Sequence, residues 1–233
     1  METDMTVGSP ARVILNFTIP IFIGNIFQQL YNMADAVIVG KFVGPNALAA
    51  VGSCGTLVFL IIGFLQGLTA GFTVITAQHF GAGNMKAMRQ SVASACILSA
   101  VVSVIMTVLS MSMMKQILGW MNTPPEIYSE AYGYIMVICA GIVAQVLYNL
   151  LASILRALGN SKVPLYFLIL AAFLNVVLDL VFIIVFHMGA AGAAYATVIS
   201  QGVSGAACLL YIFKSVPDLH LNKEDWRVQR GLC

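Results

Sequence analysis

Long apolar stretches, interrupted by short clusters of turn-forming residues, dominate this chain. A helix needs about 20 residues to cross the roughly 30 Å hydrocarbon core of a bilayer, and six stretches are long enough. Glycine, proline and asparagine, which favour turns, separate them, as at Gly44-Pro45-Asn46. The pattern therefore predicts six transmembrane helices, near 13–39, 47–77, 90–114, 128–155, 163–186 and 190–213.

Composition narrows the class of protein further. Of the 233 residues, 60% are hydrophobic and only 9% are charged, whereas a soluble domain carries about 25% charged residues. A soluble surface, collagen, a coiled coil and a disordered chain are all excluded, and a net charge of +2 is too small for a nucleic-acid partner. We therefore predict an all-α, polytopic membrane protein whose one hydrophilic segment, 214–233, is a cytoplasmic tail or the start of a linker.

The basic residues indicate an orientation. Two of the 11 Lys and Arg residues, Lys41 and Lys115, flank the predicted helices on one side. The remaining nine lie on the other side: Arg12, Lys86, Arg89, Arg156, Lys162, Lys214, Lys223, Arg227 and Arg230. Because positive residues accumulate in cytoplasmic loops, we expect both termini in the cytoplasm of a cell with this chain in its inner (plasma) membrane.

Two carboxylic acids lie inward of the terminal turns of predicted spans, Asp35 in the first and Asp179 in the fifth. A charge at the bilayer centre costs about 2.5–3.5 kcal/mol on insertion scales, and no Lys or Arg falls within a predicted span. We expect such an unpaired acid to stay protonated or to hold a cation. For Asp35, which is nearer the outer end of its span, a hydrated interfacial position is the alternative.

Amide and hydroxyl side chains follow the same helical spacing as these acids. Four predicted helices each carry a polar stripe: Gln28, Asn32 and Asp35; Gln145 and Asn149; Asn175 and Asp179; Thr197 and Gln201. Their oxygens suit Na⁺ or a shared proton. The competing interpretation is hydrogen bonding between helices, and it is favoured for Asn25, Gln28, Gln145 and Gln201.

Other features are assigned structural roles. Gly63, Gly67 and Gly71 recur every four residues on one helix face, which favours close contact with another helix or, alternatively, sliding or bending. Tyrosines near span ends, including Tyr31 and Tyr134, fit interfacial aromatic belts. No metalloprotease, hydrolase or phosphate-loop motif occurs, so we expect no enzyme, no cofactor and no tightly bound metal.

Five motifs, in order along the chain, carry a resemblance to a known family. They are Tyr31-Asn32-Met33-Ala34-Asp35 with Val39-Gly40-Lys41, Ala77-Gln78-His79-Phe80-Gly81-Ala82-Gly83, Leu155-Arg156-Ala157-Leu158-Gly159-Asn160-Ser161-Lys162-Val163-Pro164, Asn175-Val176-Val177-Leu178-Asp179 and Gly192–Gln201. Together they resemble the multidrug and toxic compound extrusion (MATE) transporters, in particular the prokaryotic branch that includes the DinF-like proteins. The likeness runs from Pro10 to about residue 225.

The resemblance implies a fold, an activity and a site. Such transporters have twelve helices in two six-helix lobes, and they export organic cations in exchange for Na⁺ or H⁺ by alternating access. The implied cation-coupling residues, all in the N-terminal lobe, are Asp35, Asn149, Asn175, Asp179 and Thr197. Candidate residues of the substrate cleft are Gln28, Asn32, Gln145 and Gln201.

The chain departs from that family in having six predicted helices rather than twelve. It resembles one lobe, either as a fragment, as a truncated product or as a half-transporter that dimerises, and we expect it to need a second lobe as partner. Two other functions stay open. One is flipping a lipid-linked saccharide, which a positively charged internal groove would favour, and the other is a non-transporting membrane remnant.

Overall fold

The computed structural model describes residues 9–216 and Leu219, and these residues are almost entirely helical. The helices are α1 (Pro10–Phe42), α2 (Pro45–Gly81), α3 (Met85–Trp120), α4 (Pro125–Ala140), α5 (Ile142–Ala157), α6 (Lys162–Leu180) and α7 (Gly189–Ser215). A π-helical segment, Val181–Val185, follows α6 directly. No strand occurs in the described residues, and the all-α class is confirmed. Of the predicted tail, 217–218 and 220–233 lie outside the described residues.

The helices are long and apolar enough to cross a membrane. Five do so alone: α1, α2, α3, α6 with its π-helical extension, and α7. A sixth span is formed if α4 and α5, which are bent by 48° relative to each other, are counted as one. The sequence predicted one uninterrupted helix over 128–155, whereas the structure divides it at Gly141. The chain is therefore a multi-pass membrane protein in which the predicted fourth span is bent at Gly141.

Local chemistry fixes where several helices begin. The side-chain Oδ1 of Asn84 accepts a hydrogen bond from Ala87 N at 3.1 Å and caps α3. Asn160 Oδ1 accepts one from Val163 N at 3.1 Å at the start of α6. Such bonds satisfy backbone donors that the first helical turn leaves free. Gly159, with a φ of 79°, makes the turn before α6 in a conformation that other residues adopt at a cost.

Two apolar cores lie at opposite ends of the helices. One joins the start of α2 to the end of α3 and the starts of α4 and α7, with Cys54, Leu118, Ile135 and Ala193 fully or almost fully buried. The other joins the start of α3 to the ends of α5 and α7. The buried polar residues of α5, α6 and α7 lie between these two cores. The polar interior is therefore about midway along the helices.

One face of α2 has no neighbour in the described part of the chain. A Cβ atom added at Gly63, Gly67 or Gly71 would meet no atom within 4 Å. The predicted close helix contact along this stripe is therefore absent among residues 9–216. A contact there requires a partner outside the described residues.

Candidate functional site

The interior polar group is built on α6 and α7. Asn175 is 1% exposed and Asp179 is 0% exposed, and they lie one helical turn apart on α6. Asn175 Nδ2 donates a hydrogen bond to Thr197 Oγ1 of α7 at 3.3 Å. Both carboxylate oxygens of Asp179 and the amide oxygen of Asn175 are buried without a hydrogen-bond partner. These oxygens are therefore available to a proton or a cation.

Asp35 of α1 belongs to the same neighbourhood. It is 8% exposed, and its charge is close enough to that of Asp179 for the two to repel each other. This burial favours an interior position over the hydrated interfacial one. In the part of the chain that the structure describes, no Lys or Arg pairs with either acid, and Asp35 Oδ1 also lacks a partner. Two neighbouring buried carboxylates cannot both carry an uncompensated charge at acceptable cost.

Two tyrosines assigned to an interfacial belt are instead buried beside these acids. Tyr134 of α4 lies within electrostatic reach of both Asp35 and Asp179, and Tyr31 lies within reach of Asp35. The Tyr31 hydroxyl also accepts a hydrogen bond from Gln201 Nε2 at 3.5 Å. The aromatic-belt interpretation is therefore wrong for Tyr31 and Tyr134. Their burial beside the acids could not be predicted from the sequence, because a tyrosine near the end of a span fits an interfacial belt equally well.

The backbone around the acids is irregular in two places. The π-helical segment Val181–Val185 begins two residues after Asp179, and such segments inside helices often occur at functional sites. The bend between α4 and α5 packs on α7 next to Thr197, since a methyl group at Gly141 would overlap the Val198 side chain. The acids are thus held between elements that depart from regular α-helix.

A polar cavity of about 60 Å³ lies beside this group, enclosed by α1, α2, α5, α6 and α7. Three of the four candidate cleft residues line it: Gln28, Gln145 and Gln201. The fourth, Asn32, is exposed and donates to Gln29 Oε1 at 3.3 Å. Asn149 also lines this cavity, and its Nδ2 donates to Gln145 O at 2.8 Å. The structure thus groups Asp35, Asn175, Asp179 and Thr197, with Asn149 in the adjoining cavity.

Arg156 also lines the cavity, which the sequence analysis did not anticipate. It had been assigned to the flank of a span ending at residue 155, but α5 continues to Ala157 and Arg156 reaches inward. Tyr148 lines the same cavity, and its hydroxyl donates to Pro164 O at 3.0 Å. The sequence position of Arg156 did not indicate that it lines the cavity, because a basic residue at a helix end fits a cytoplasmic flank equally well.

The fold and this buried polar interior define a multi-pass membrane protein with two buried acids between its helices. The MatE family model matches residues 20–181, and the chain belongs to that family. Its relatives are MATE transporters, which are not enzymes. The sequence-based recognition of the MATE family is therefore confirmed.

Individual relatives agree with this assignment. The chain is 33% identical over 211 residues to the probable multidrug resistance protein YpnP of Bacillus subtilis, covering 91% of this chain and 47% of that one. It is 29% identical over 227 residues to the probable multidrug resistance protein NorM of Thermotoga maritima, covering 95% and 47%. The chain thus spans about half the length of the curated relatives it matches.

Solved structures show the same relationship in three dimensions. An outward-facing multidrug resistance MATE family transporter of the MOP superfamily superposes with a TM-score of 0.90 at 30% identity. The superposition covers 97% of this chain and 50% of that one. The predicted fold, one six-helix lobe of a MATE-like transporter, is confirmed by this match.

Proposed function

We propose that the chain is the cation-coupled lobe of an antiporter that exports drug-like organic cations by alternating access. The names of its relatives support the export of drugs, since they are described as probable multidrug resistance proteins. The single observation that carries the coupling role is the pair of neighbouring buried acids, Asp35 and Asp179, without a basic partner in the described residues.

The coupling ion is Na⁺ or H⁺, and both use the same oxygens. A sodium ion would be held by the carboxylates with Asn175 and Thr197, because hard oxygen ligands suit it. A proton would neutralise one acid of the pair. Either ligand relieves the repulsion between Asp35 and Asp179, and it therefore favours the conformation in which the two acids are close. Coupling follows if the exported cation binds better to another conformation.

Asn149 completes the proposed ion site. It lies on α5 in the adjoining cavity, where its amide nitrogen donates to a backbone oxygen. We propose that ion binding turns its amide oxygen toward the α6 residues. We include Gln28, Asn32, Gln145 and Gln201 in the proposed cleft for the exported cation.

The proposal includes a partner and an orientation. A second six-helix lobe would cover the uncovered α2 face that contains Gly63, Gly67 and Gly71. Both termini would lie in the cytoplasm, with the chain in the plasma membrane, because nine of the 11 Lys and Arg residues flank that side.

Arg156 gives one observation in favour of the flippase alternative. A lipid-linked saccharide carries a pyrophosphate, which is bound by several cationic groups rather than one. Among the described residues that line the cavity, Arg156 is the only charged one. We therefore keep the antiporter as the proposed function.

The test is transport in proteoliposomes. The chain is expressed with the C-terminal half of a full-length MatE relative, and export of a fluorescent organic cation is driven by a Na⁺ or a pH gradient. Asp179→Asn keeps the size of the side chain but removes its charge, so we expect gradient-driven export to be abolished. Asp35→Asn should have the same effect.

Glu126 provides a matched control. It is an exposed carboxylate in the first turn of α4, away from the interior acids, so Glu126→Gln should leave export unchanged. Near-normal coupled export by the Asp179→Asn protein would contradict the coupling role and leave Asp179 as a hydrogen-bonding residue between helices.

A further inference from the structure

A groove of about 600 Å³ opens between α1 and α6 at the end of the molecule where both helices begin. The two helices touch further along, where a Cβ atom on Gly24 would lie 3.2 Å from Leu168 Cδ2. Nearer their N-termini they separate, and Val13 and Phe17 of α1 line the groove together with Val163 of α6. The separation leaves space for a ligand, since sites for small molecules measure roughly 300–1,000 Å³.

The groove lies at the level of a membrane surface. Helix α1 has 33 residues, so it is about 50 Å long and exceeds the roughly 30 Å hydrocarbon core. Its first turns, which line the groove, therefore extend toward the lipid headgroups. Beside the groove α1 presents exposed apolar side chains, Ile14, Leu15 and Phe22. A hydrocarbon chain that leaves the groove thus meets an apolar surface.

The lining of the groove is polar on one side and apolar on the other. The turn between α5 and α6 contributes polar residues, and α1 contributes mainly apolar ones. Lys162 and Tyr166 lie one turn apart on α6, so an ammonium group and a phenol share one face of this helix. The ring of Tyr211, at the far side of the groove, is held by an edge contact with Phe167 at 6.1 Å between centroids. Such a lining matches a molecule with a polar head and an apolar tail.

The charge at this end of the helices indicates the sign of that head. Within residues 9–216, Glu126 and Glu130 lie in α4 at the opposite end, and the other two acids, Asp35 and Asp179, are interior. The described basic residues at the groove end are Arg12, Lys86, Arg89, Arg156, Lys162 and Lys214. Of these six, Lys162 lines the groove. A negatively charged head is therefore favoured over a positively charged one.

We propose that the groove between α1 and α6 binds an anionic phospholipid, with its phosphate at Lys162 and Tyr166 and an acyl chain along α1. This inference goes beyond the proposed export function and does not depend on it. If α6 begins on the cytoplasmic side, as proposed, the lipid comes from the inner leaflet. A zwitterionic phospholipid would bring its own cation next to Lys162, so we expect the groove to discriminate against it.

The test compares two lipids that differ only in the headgroup. The 233-residue chain is purified in a neutral detergent, and native mass spectrometry measures the binding of phosphatidylglycerol and phosphatidylcholine with the same two acyl chains. We expect the wild-type chain to bind phosphatidylglycerol more tightly. Lys162→Gln should weaken that binding about five- to tenfold, the usual effect of one Lys at a membrane surface or in a charged hydrogen bond, and leave phosphatidylcholine within about twofold.

Matched variants separate the groove from the general positive field. Lys214→Gln removes an exposed charge in the last turn of α7 that does not line the groove, and it should keep the wild-type preference. Val13→Trp fills the groove and should weaken binding of both lipids. Ile14→Trp places the same side chain at the neighbouring, exposed position outside the lining and should bind both lipids as the wild type does.

A cross-linking experiment identifies the occupant in cell membranes. With a benzophenone amino acid in place of Tyr166, ultraviolet light should attach a phospholipid to the chain. Attachment to residues 217–233 of the same chain, or to a second copy, would overturn the proposal. Equal binding of the two lipids by the wild type, or equal losses in Lys162→Gln and Lys214→Gln, would overturn it too. Displacement of phosphatidylglycerol by millimolar inorganic phosphate would make the groove a site for free anions and would also contradict it.

Discussion

The carboxylate of Glu130 on α4 accepts a hydrogen bond from the backbone N–H of Ala190 on α7, at 2.8 Å across 60 residues of sequence. The acceptor lies at the first turn of α7, where free N–H groups and the helix dipole both favour a negative charge. Gly189 precedes it with a φ of 63°, and a Cβ there would lie 2.8 Å from Glu130 Oε2. The start of α7, the helix that carries Thr197, is thereby fixed to α4.

Replacing Glu130 should loosen this junction. Glu130→Ala removes the acceptor, and we expect a loss of about 1–2 kcal/mol of stability, the range for a helix cap and a charged hydrogen bond. Glu130→Gln retains an acceptor without charge and should lose less than half of that. Thermal unfolding in detergent, followed by fluorescence, measures both. Glu126→Ala is the control, and an equal loss there would show that the Glu130 contact contributes nothing specific.

The bend between α4 and α5 depends on the absence of a side chain at Gly141. Its φ of −85° is open to any residue, so space and not backbone conformation requires glycine. Gly141→Ala would overlap Val198, and we expect it to destabilise the chain by about 1–3 kcal/mol. Gly202→Ala is the matched control, because its Cβ would lie 3.6 Å from Ala144 Cβ, an ordinary contact.

A double mutant separates packing from other causes. If the overlap is the reason for the loss, Gly141→Ala combined with Val198→Ala should recover most of the melting temperature, because the smaller side chain makes room. No recovery in the double mutant would show that Gly141 acts through something other than Val198.

The length and composition of the apolar stretches were sufficient to predict an all-α chain with six membrane spans, provided that the bent α4–α5 pair counts as one span. They could not predict the break at Gly141, because a glycine inside an apolar run also occurs in straight transmembrane helices. Only the packing of Val198 against that position identifies its role. The π-helical turn after Asp179 was likewise hidden, since its sequence, Val-Phe-Ile-Ile-Val, reads as ordinary helix or strand.

Helical spacing located part of the candidate site. The i, i+4 spacing of Asn175 and Asp179 correctly placed both on a buried face of α6. The same reasoning grouped Asn32 with Asp35, yet Asn32 is exposed and Asp35 is buried. Residues three or four positions apart share a helix face only approximately, so one of them can lie outside the buried part of that face. The sequence analysis did not place Tyr134 or Arg156 in the interior. The spacing of residues within one helix does not show how α4 and α5 pack against the other helices.

The open glycine face of α2 should govern association. We expect the chain to self-associate in bilayers, since the α2 glycine face has no neighbour among residues 9–216. Gly67→Leu should reduce that association and leave the melting temperature nearly unchanged. Single-molecule photobleaching counts the copies. Ala100→Leu introduces the same side chain at an exposed position of α3 and is the control. A long-lived monomer of the unmutated chain in dilute bilayers would contradict this expectation.

The orientation is tested by labelling. Cysteine is introduced separately at Lys162 and Glu126, both exposed and at opposite ends of the helices, in a background in which the native cysteines are replaced. A membrane-impermeant maleimide should label the Glu126→Cys protein in intact cells. It should label the Lys162→Cys protein only after permeabilisation. The reverse pattern would place the termini outside the cell.

The role of the two acids can be tested without a second lobe. A cation that binds the folded state alone raises its stability, by about 2.7 kcal/mol at a concentration 100 times its Kd. If Na⁺ binds at Asp35 and Asp179, increasing NaCl in place of choline chloride should raise the melting temperature of the wild-type chain. If the ligand is a proton, lowering the pH should do so instead. Asp179→Asn should remove whichever dependence the wild type has, because the variant lacks the second charge that the ligand neutralises.

The same variant should fold normally, since neutralising a buried and unpaired acid lowers the cost of its burial. Glu130→Gln serves as the comparison. It should lower the melting temperature but keep the wild-type response to Na⁺ or pH, because Glu130 contacts the backbone at the start of α7, at Ala190. An Asp179→Asn protein with the full wild-type response to both ligands would show that the cation binds elsewhere. Asp179 would then serve only to join helices.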